Sequence, residues 1–128
     1  MEEIVRRVLE AARAEGGDPP DAAFVRTARV IRRALEAADD LSPASRRALE
    51  DDHPSTPSVE RYHEVLVCLV HSGPAFLEWQ GNFGGACAGH PNGPPAHPRY
   101  TECRITPHGL QYLIDTAPRR NRRTRRST

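Results

Sequence analysis

The chain has 128 residues, which is enough for one hydrophobic core but not for two. Hydrophobic residues make up 38% of it, and no apolar run approaches the roughly 20 residues of a membrane-spanning helix, so we expect no membrane partner. Its acidic start, Met1-Glu2-Glu3, does not resemble a secretory signal, which predicts a cytoplasmic protein whose three cysteines are free thiols.

The net charge of +1 conceals an uneven distribution along the chain. All 17 acidic residues precede Ala117, whereas six of the 18 basic residues follow it, and every one of the 18 is Arg. Residues 119–128 contain no apolar side chain, which is typical of a disordered segment. Basic terminal arms commonly add non-specific affinity for DNA. We therefore predict DNA contacts from the arginines of this tail, namely Arg119, Arg120, Arg122 and Arg123.

Two amphipathic helices are predicted in the first third of the chain. The first runs from Met1 to Arg13 and is stopped by Gly16-Gly17, and its apolar stripe consists of Ile4, Val5, Val8, Leu9 and Ala12. A hinge follows at Asp18-Pro19-Pro20. The second helix starts with Asp21 as its N-cap and runs to about Ala38, with an inward stripe of Phe24, Ala28, Ile31, Leu35 and Ala38.

Two further helices begin with the same local signal, a hydroxyl residue followed by proline. Ser42-Pro43 opens a short helix to about Glu50, and Thr56-Pro57 opens a longer one to about His71. The inward face of the longer helix is formed by Val59, Tyr62, Leu66, Leu69 and Val70. Because the link between the two helices is short, the pair has the proportions of a helix-turn-helix.

The remainder of the chain predicts two strands and a helix. The strands are Phe76–Trp79 and Tyr100–Thr106, on either side of a loop from Gly81 to Pro98 that is rich in glycine and proline. The last helix runs from Pro107 to Thr116, and its inward residues are Leu110, Leu113 and Ile114.

These elements predict a mostly α fold with a small β wing, which is a winged helix-turn-helix in a single small domain with a disordered basic tail. Three or four helices followed by two strands around a loop is the element order of that fold. We divide the chain into an N-terminal amphipathic helix (residues 1–17), a winged-helix domain (residues 18–118) and the tail (residues 119–128).

Two segments of the second half resemble consecutive motifs of one protein family. Gln80-Gly81-Asn82-Phe83-Gly84 and Arg99-Tyr100-Thr101-Glu102 are similar to the Gly-Gln-Gly-Asn-Phe-Gly-Ser loop and the Ala-Met-Arg-Tyr-Thr-Glu segment of the A subunits of DNA gyrase and topoisomerase IV. They occur in the family's order and near its spacing, which chance matches rarely reproduce. Fainter similarity at Ile31–Leu35, at His53-Pro54 and at Ser58 extends the resemblance over residues 20–113.

The resemblance implies that Tyr100 is a nucleophile. In the family, the Tyr of Arg-Tyr-Thr attacks a DNA phosphate and holds the broken end as a phosphotyrosine. A phenol with a pKa of about 10 is a weak nucleophile at neutral pH, so a cation is needed to stabilise the developing charge. The resemblance implies that Arg99 supplies it and that a partner subunit supplies Mg²⁺, so we expect no cofactor bound by this chain itself.

Double-stranded DNA is the partner that the resemblance implies. The predicted DNA contacts outside the tail are His53, Ser58, Arg61, Arg32, Arg33 and Arg104. Pro57–His71 is the predicted groove-facing helix, with Arg61, His63 and Glu64 on its polar face. Expected protein partners are a gyrase B-type subunit, gyrase itself or a second copy of this chain.

Several positions depart from the family's pattern. Ser55 stands where the family has a second His, Ile31 stands where it has an active-site His, and Trp79 replaces a Gly. The family's nearby Lys has no counterpart, because the chain contains no Lys. These departures favour an alternative in which the chain is a catalytically inactive module that binds gyrase or DNA, as a regulator or a protection factor.

A third interpretation concerns four potential zinc ligands, Cys87, His90, His97 and Cys103. Their number suits a tetrahedral site and would define a zinc-knuckle interaction protein. Their spacing matches no zinc-finger pattern, however, and Cys103 falls on a predicted strand. Cys and His residues in loops are more often without a bound metal than with one.

Overall fold

The computed structural model describes residues 2–50, 56–81 and 101–117, which form a small, mostly helical domain with a three-stranded antiparallel sheet. The helices are α1 (Glu2–Gly16), α2 (Thr27–Ala37), α3 (Pro43–Glu50), α4 (Pro57–His71) and α5 (Pro107–Asp115). The strands are β1 (Val25–Arg26), β2 (Leu77–Gly81) and β3 (Thr101–Ile105). No helix within these ranges is both long enough and apolar enough to cross a membrane.

Helix α1 is an integral part of the hydrophobic core. Its apolar stripe buries Val8, Leu9, Ala11 and Ala12 against α2, α4, α5 and β3. The helix extends beyond the predicted end at Arg13 to Gly16, and Gly17 ends it with a φ of 93°, a conformation that favours glycine. Residues 2–16 therefore share one core with the rest of the described chain.

Helix α2 begins at Thr27, so the prediction of Asp21 as its N-cap was wrong. Val25 and Arg26 instead form β1, which pairs with Cys103 and Glu102 of β3. This pairing provides backbone hydrogen-bond partners for Val25 and Arg26, which the apolar stripe had predicted to be helical. The long-range partner outweighs the local pattern.

Helices α3 and α4 begin at the predicted prolines and end at the predicted residues. The Ser42 Oγ accepts a hydrogen bond from the Ser45 N–H at 3.1 Å, and the Thr56 Oγ1 accepts one from the Val59 N–H at 3.3 Å. Both capping predictions are thus confirmed. The inward face predicted for α4 is confirmed as well, because all five of its residues are buried: Val59, Tyr62, Leu66, Leu69 and Val70.

The sheet has the order β1-β3-β2, with β3 in the centre. Strands β2 and β3 pair from Leu77 opposite Ile105 to Gly81 opposite Thr101. Both strands were predicted to within two residues at each end. The edge strand β1 was not predicted, since two residues carry no recognisable alternation of apolar and polar side chains.

Helix α5 packs against α1 through one side. Thr106 caps it by accepting a hydrogen bond from the Gly109 N–H at 3.1 Å, and Leu113 is buried. Ile114 is 54% exposed, so its predicted inward position was wrong. The Tyr112 ring packs against Phe76 instead, with 5.1 Å between the ring centroids. The helix therefore faces the core through a stripe that excludes position 114.

Candidate functional site

The two specific segments of the resemblance meet on neighbouring strands. Gln80 of β2 lies opposite Glu102 of β3, and Gly81 lies opposite Thr101. The Gln80 side-chain amide donates a hydrogen bond to the Glu102 carboxylate, with 2.6 Å between Nε2 and Oε1. Residues that are 22 positions apart in the chain are therefore joined through both backbone and side chains.

A groove lies between α2, α3 and the β1–β3 side of the sheet, and we call it the arginine groove. Its volume is about 680 Å³. It is lined by Phe24, Val25, Arg26, Ala28, Arg29, Arg32, Leu49, Glu50 and Glu102. Arg26, Arg29 and Arg32 recur every three residues, which places them along one face at the start of α2.

The charged groups of the arginine groove are not all paired. Arg32 donates to Glu50 of α3 at 2.9 Å, and Glu102 is held by Gln80. Arg26 and Arg29 are exposed, and neither forms an ion pair with another residue in the described ranges. The groove therefore presents two guanidinium groups that are available to an anion, beside a third that already binds a carboxylate.

Arg104 has a different environment from the groove arginines. Its Nε donates to Glu78 at 2.7 Å across the β2–β3 pair, and its Nη1 lies 3.3 Å from the carbonyl oxygen of Ala22. The guanidinium also lies over the Phe24 ring, 4.2 Å from the centroid. Arg104 thus connects the sheet to the segment that precedes β1, and any contact with DNA has to share donors with these partners.

Two other predicted DNA contacts are engaged with other parts of the protein. Arg33 donates to Glu15 of α1 at 2.8 Å, which directs it away from the arginine groove. The Ser58 hydroxyl donates to the Asp40 carboxylate at 3.2 Å. Arg32 is the one predicted contact on α2 that lines the groove.

The exposed face of α4 is less basic than predicted. Arg61 is exposed there, together with Glu60 and Glu64. His63 is only 4% exposed, so its predicted place on the polar face was wrong. The helix buries a broad stripe against the core, and position 63 falls within that stripe next to Tyr62 and Leu66.

The remaining predicted site residues lie outside the described ranges, and their roles stay predictions. These residues are His53, Arg99, Tyr100, Cys87, His90, His97, Arg119, Arg120, Arg122 and Arg123. Tyr100 immediately precedes Thr101, the first residue of β3.

Cys103 was the fourth candidate zinc ligand, and it lies in the core. Its side chain is fully buried, and burial raises the pKa of the thiol to about 12, with a smaller contribution from the Glu102 charge in the same direction. A hydrogen bond with Thr27 acts in the opposite direction. Zinc binds the thiolate, so this position is poorly suited to hold it. Within the described ranges, no group of three or more potential metal ligands occurs.

Phe24, Arg26 and Arg29 line the groove but were not predicted as site residues. A signal for them was present, because Arg26, Arg29 and Arg32 are spaced by three residues, as on one helix face. The spacing of the arginines was not used, because the apolar pattern predicted a helix that begins at Asp21 and has Phe24 on its inward face.

No model of a protein family, no curated protein and no solved structure matches this chain. Its function is therefore inferred from the residues and their geometry.

Proposed function

We propose that this chain is a double-stranded DNA-binding module of the winged-helix type, related in residues 80–102 to the A subunits of type IIA topoisomerases. The observation that carries the proposal is the direct pairing of the two specific segments, with Gln80 hydrogen-bonded to Glu102. Two short matches to consecutive motifs of one family that also form a single strand pair are more informative than two isolated matches.

The helical half of the domain supports the same class. Helices α3 and α4 follow one another after a short link, and their N-terminal caps are connected by the contact between Ser45 and Thr56. The β2–β3 pair follows these helices in the chain, which is the order expected of a wing. Exposed arginines occur on both helices, among them Arg46, Arg47 and Arg61, and they provide cations for the phosphates of a duplex.

DNA binding without cleavage is the form of the function that the described residues favour. Ile31, at the position of the family's active-site His, is fully buried and offers no polar group. The resemblance still implies a nucleophilic role for Tyr100, with Arg99 beside it and Mg²⁺ from a gyrase B-type subunit. That role is a second candidate, and it depends on a cation reaching the phosphate without the family's His and Lys.

A salt titration of duplex binding tests the proposal. A fluorescent duplex of random sequence is titrated with the chain between about 50 mM and about 200 mM salt, and the anisotropy is measured. We expect the logarithm of the binding constant to fall linearly with the logarithm of the salt concentration. Replacing the tail arginines by Gln should reduce that slope by about one counterion for each Arg that neutralises a phosphate. Failure of the unaltered chain to retain duplex at the lowest salt would refute the proposal.

Covalent trapping separates the two candidates. The chain is mixed with supercoiled DNA and Mg²⁺, with and without a gyrase B subunit, and the reaction is stopped with detergent. Covalent attachment of the unaltered chain to DNA, and its loss in the Tyr100→Phe variant, would establish DNA transesterification. Salt-sensitive binding with no attached protein under either condition would leave a module that binds without chemistry.

A further inference from the structure

We propose that the arginine groove is the site at which this module holds phosphates of the DNA backbone, with Arg26 and Arg29 as the main ligands and Glu50 as an internal competitor for Arg32. This inference rests on the proposed DNA-binding function and names the residues responsible for it. Arg26 and Arg29 were not among the DNA contacts that the resemblance implied.

The spacing of the three arginines suits successive phosphates. Arg29 and Arg32 are about one helical turn apart, or about 4.5 Å along the axis of α2. Arg26 extends the row beyond the start of the helix. Along the duplex axis, one DNA strand advances about 3.4 Å per phosphate, so a row of three arginines is long enough to reach more than one phosphate. The N-terminus of α2 is the positive end of its helix dipole, and it lies beside Arg26. The dipole therefore makes the electrostatic potential of the groove more positive.

The walls of the groove strengthen its electrostatic attraction. Phe24, Val25, Ala28 and Leu49 contribute apolar surface between the charged groups. Apolar walls concentrate the field of the arginines, because the medium beside them is less polarisable than water. At about 680 Å³ the groove also has enough volume for a sugar–phosphate segment.

The groove already binds one oxyanion, the carboxylate of Glu50. The Arg32 Nη1 lies 2.9 Å from the Glu50 Oε2, and the two side chains are 40% and 41% exposed. A pair so exposed to solvent is weakly held. A phosphate offers Arg32 more acceptor oxygens than the carboxylate does, so it can take the place of Glu50. Glu50 therefore lowers the affinity of the groove for DNA.

Arginine variants and the glutamate variant of the groove should change duplex affinity in opposite directions. Arg26→Gln and Arg29→Gln should each weaken binding about threefold to tenfold at low salt and reduce the salt slope by about one. Glu50→Gln should strengthen binding by a similar factor, because it removes a negative charge and releases Arg32. In an Arg32→Gln background, the gain from Glu50→Gln should become smaller.

Two matched variants control for net charge. Asp18→Asn makes the same charge change as Glu50→Gln and releases Arg13 from an ion pair of similar length, 2.7 Å, outside the groove. Arg13→Gln removes a positive charge from α1 without altering the groove lining. Both are expected to change affinity less than about twofold. Circular dichroism of each variant verifies that the fold is retained.

The outcomes distinguish this inference from the proposed function. If the unaltered chain binds duplex but Arg26→Gln, Arg29→Gln and Glu50→Gln do not differ from the controls, the groove is not the phosphate site, although DNA binding stands. If the unaltered chain does not bind duplex, the proposed function fails. The groove is then tested alone by titrating ¹⁵N-labelled chain with inorganic pyrophosphate. Shifts of the Arg26 and Arg29 side-chain signals would support a phosphate site, and unchanged signals would overturn it.

Discussion

Cys103 lies in the central strand with a fully buried thiol, and its ionisation is coupled to folding. Burial raises its pKa from 9.0 to about 12, so the native protein keeps the thiol protonated at a pH where the unfolded chain loses the proton. Stability from this group is present in full below pH 9 and is lost as the pH rises from there towards 12. The chain contains no Lys, so few other groups titrate in this range.

We therefore expect the free energy of unfolding to fall by about 1.4 kcal/mol between about pH 8 and about pH 10 on account of Cys103. Urea unfolding is measured at both pH values in a Cys68→Ser, Cys87→Ser background, which removes the other thiols. The control is the same chain with Cys103→Ala, in which the contribution of Cys103 is absent. An equal decrease in both chains would show that the thiol is not linked to folding.

Gly109 occupies the first turn of α5, where no side chain fits. A Cβ at this position would collide with the carbonyl oxygen of Phe76 and would lie 2.9 Å from the Ile105 Cγ1. Ala is favoured over Gly within a helix by about 1 kcal/mol, but overpacking against backbone costs about 1–3 kcal/mol. We expect Gly109→Ala to lower the free energy of unfolding, measured in urea, by about 1 kcal/mol. His108→Ala, at the exposed neighbouring position, should change it by less than about 0.5 kcal/mol.

At the scale of elements, α3 and α4 share one hydrogen-bond network at their N-termini. The hydroxyl of Ser45, which is buried, contacts the Ser42 Oγ at 3.1 Å and the Thr56 Oγ1 at 2.7 Å. Ser42 and Thr56 are the caps of the two helices. The network therefore links two local capping signals into a contact that sets one helix start against the other.

Removing the central hydroxyl should uncouple the two caps. We expect Ser45→Ala to lower the free energy of unfolding by about 1–2 kcal/mol, because the hydroxyls of Ser42 and Thr56 each lose a partner. The double variant with Thr56→Ala should cost less than the sum of the single variants by about 0.5 kcal/mol or more. Ser58→Ala, which removes an exposed hydroxyl bonded to Asp40, is the control and should be nearly neutral. Strict additivity in denaturant unfolding would argue against a shared network.

At the scale of the whole molecule, a single core joins α1 to the sheet and to the other helices. Leu9 of α1, Leu35 of α2 and Leu77 of β2 are all fully buried within it. Surface ion pairs such as Arg33–Glu15 also connect α1 to α2, but pairs so exposed contribute little compared with the apolar contacts. Removal of an apolar side chain from α1 should therefore affect the stability of the whole domain.

We expect Leu9→Ala to lower the free energy of unfolding by about 2–4 kcal/mol and to leave a single cooperative transition. Ile114→Ala removes a side chain that is 54% exposed, and it should cost less than about 1 kcal/mol. Both are measured by urea unfolding followed by circular dichroism. A second transition in Leu9→Ala, with the remainder unfolding as before, would mean that α1 is an independent element.

Local chemistry in the chain was sufficient to locate four of the helices and two of the strands. Ser42-Pro43 and Thr56-Pro57 specify helix starts, and the apolar spacing of α1 and α4 specifies their buried faces. These signals act between neighbours in the sequence, so they can be recognised without the fold. The resemblance of the Gln80 and Glu102 segments also depends on short local motifs, and it stays a prediction.

Contacts between distant parts of the chain decided the rest. The edge strand β1 forms because Val25 and Arg26 pair with β3, far along the chain. Because of this pairing, α2 starts at Thr27 and not after Asp21 as predicted. The burial of His63 and the exposure of Ile114 likewise depend on which neighbours each helix meets. The arginine groove is assembled from β1 with the preceding Phe24, from α2, from α3 and from β3. The spacing of its three arginines is a local pattern, but Glu50 and Glu102 become their neighbours only when the core is packed.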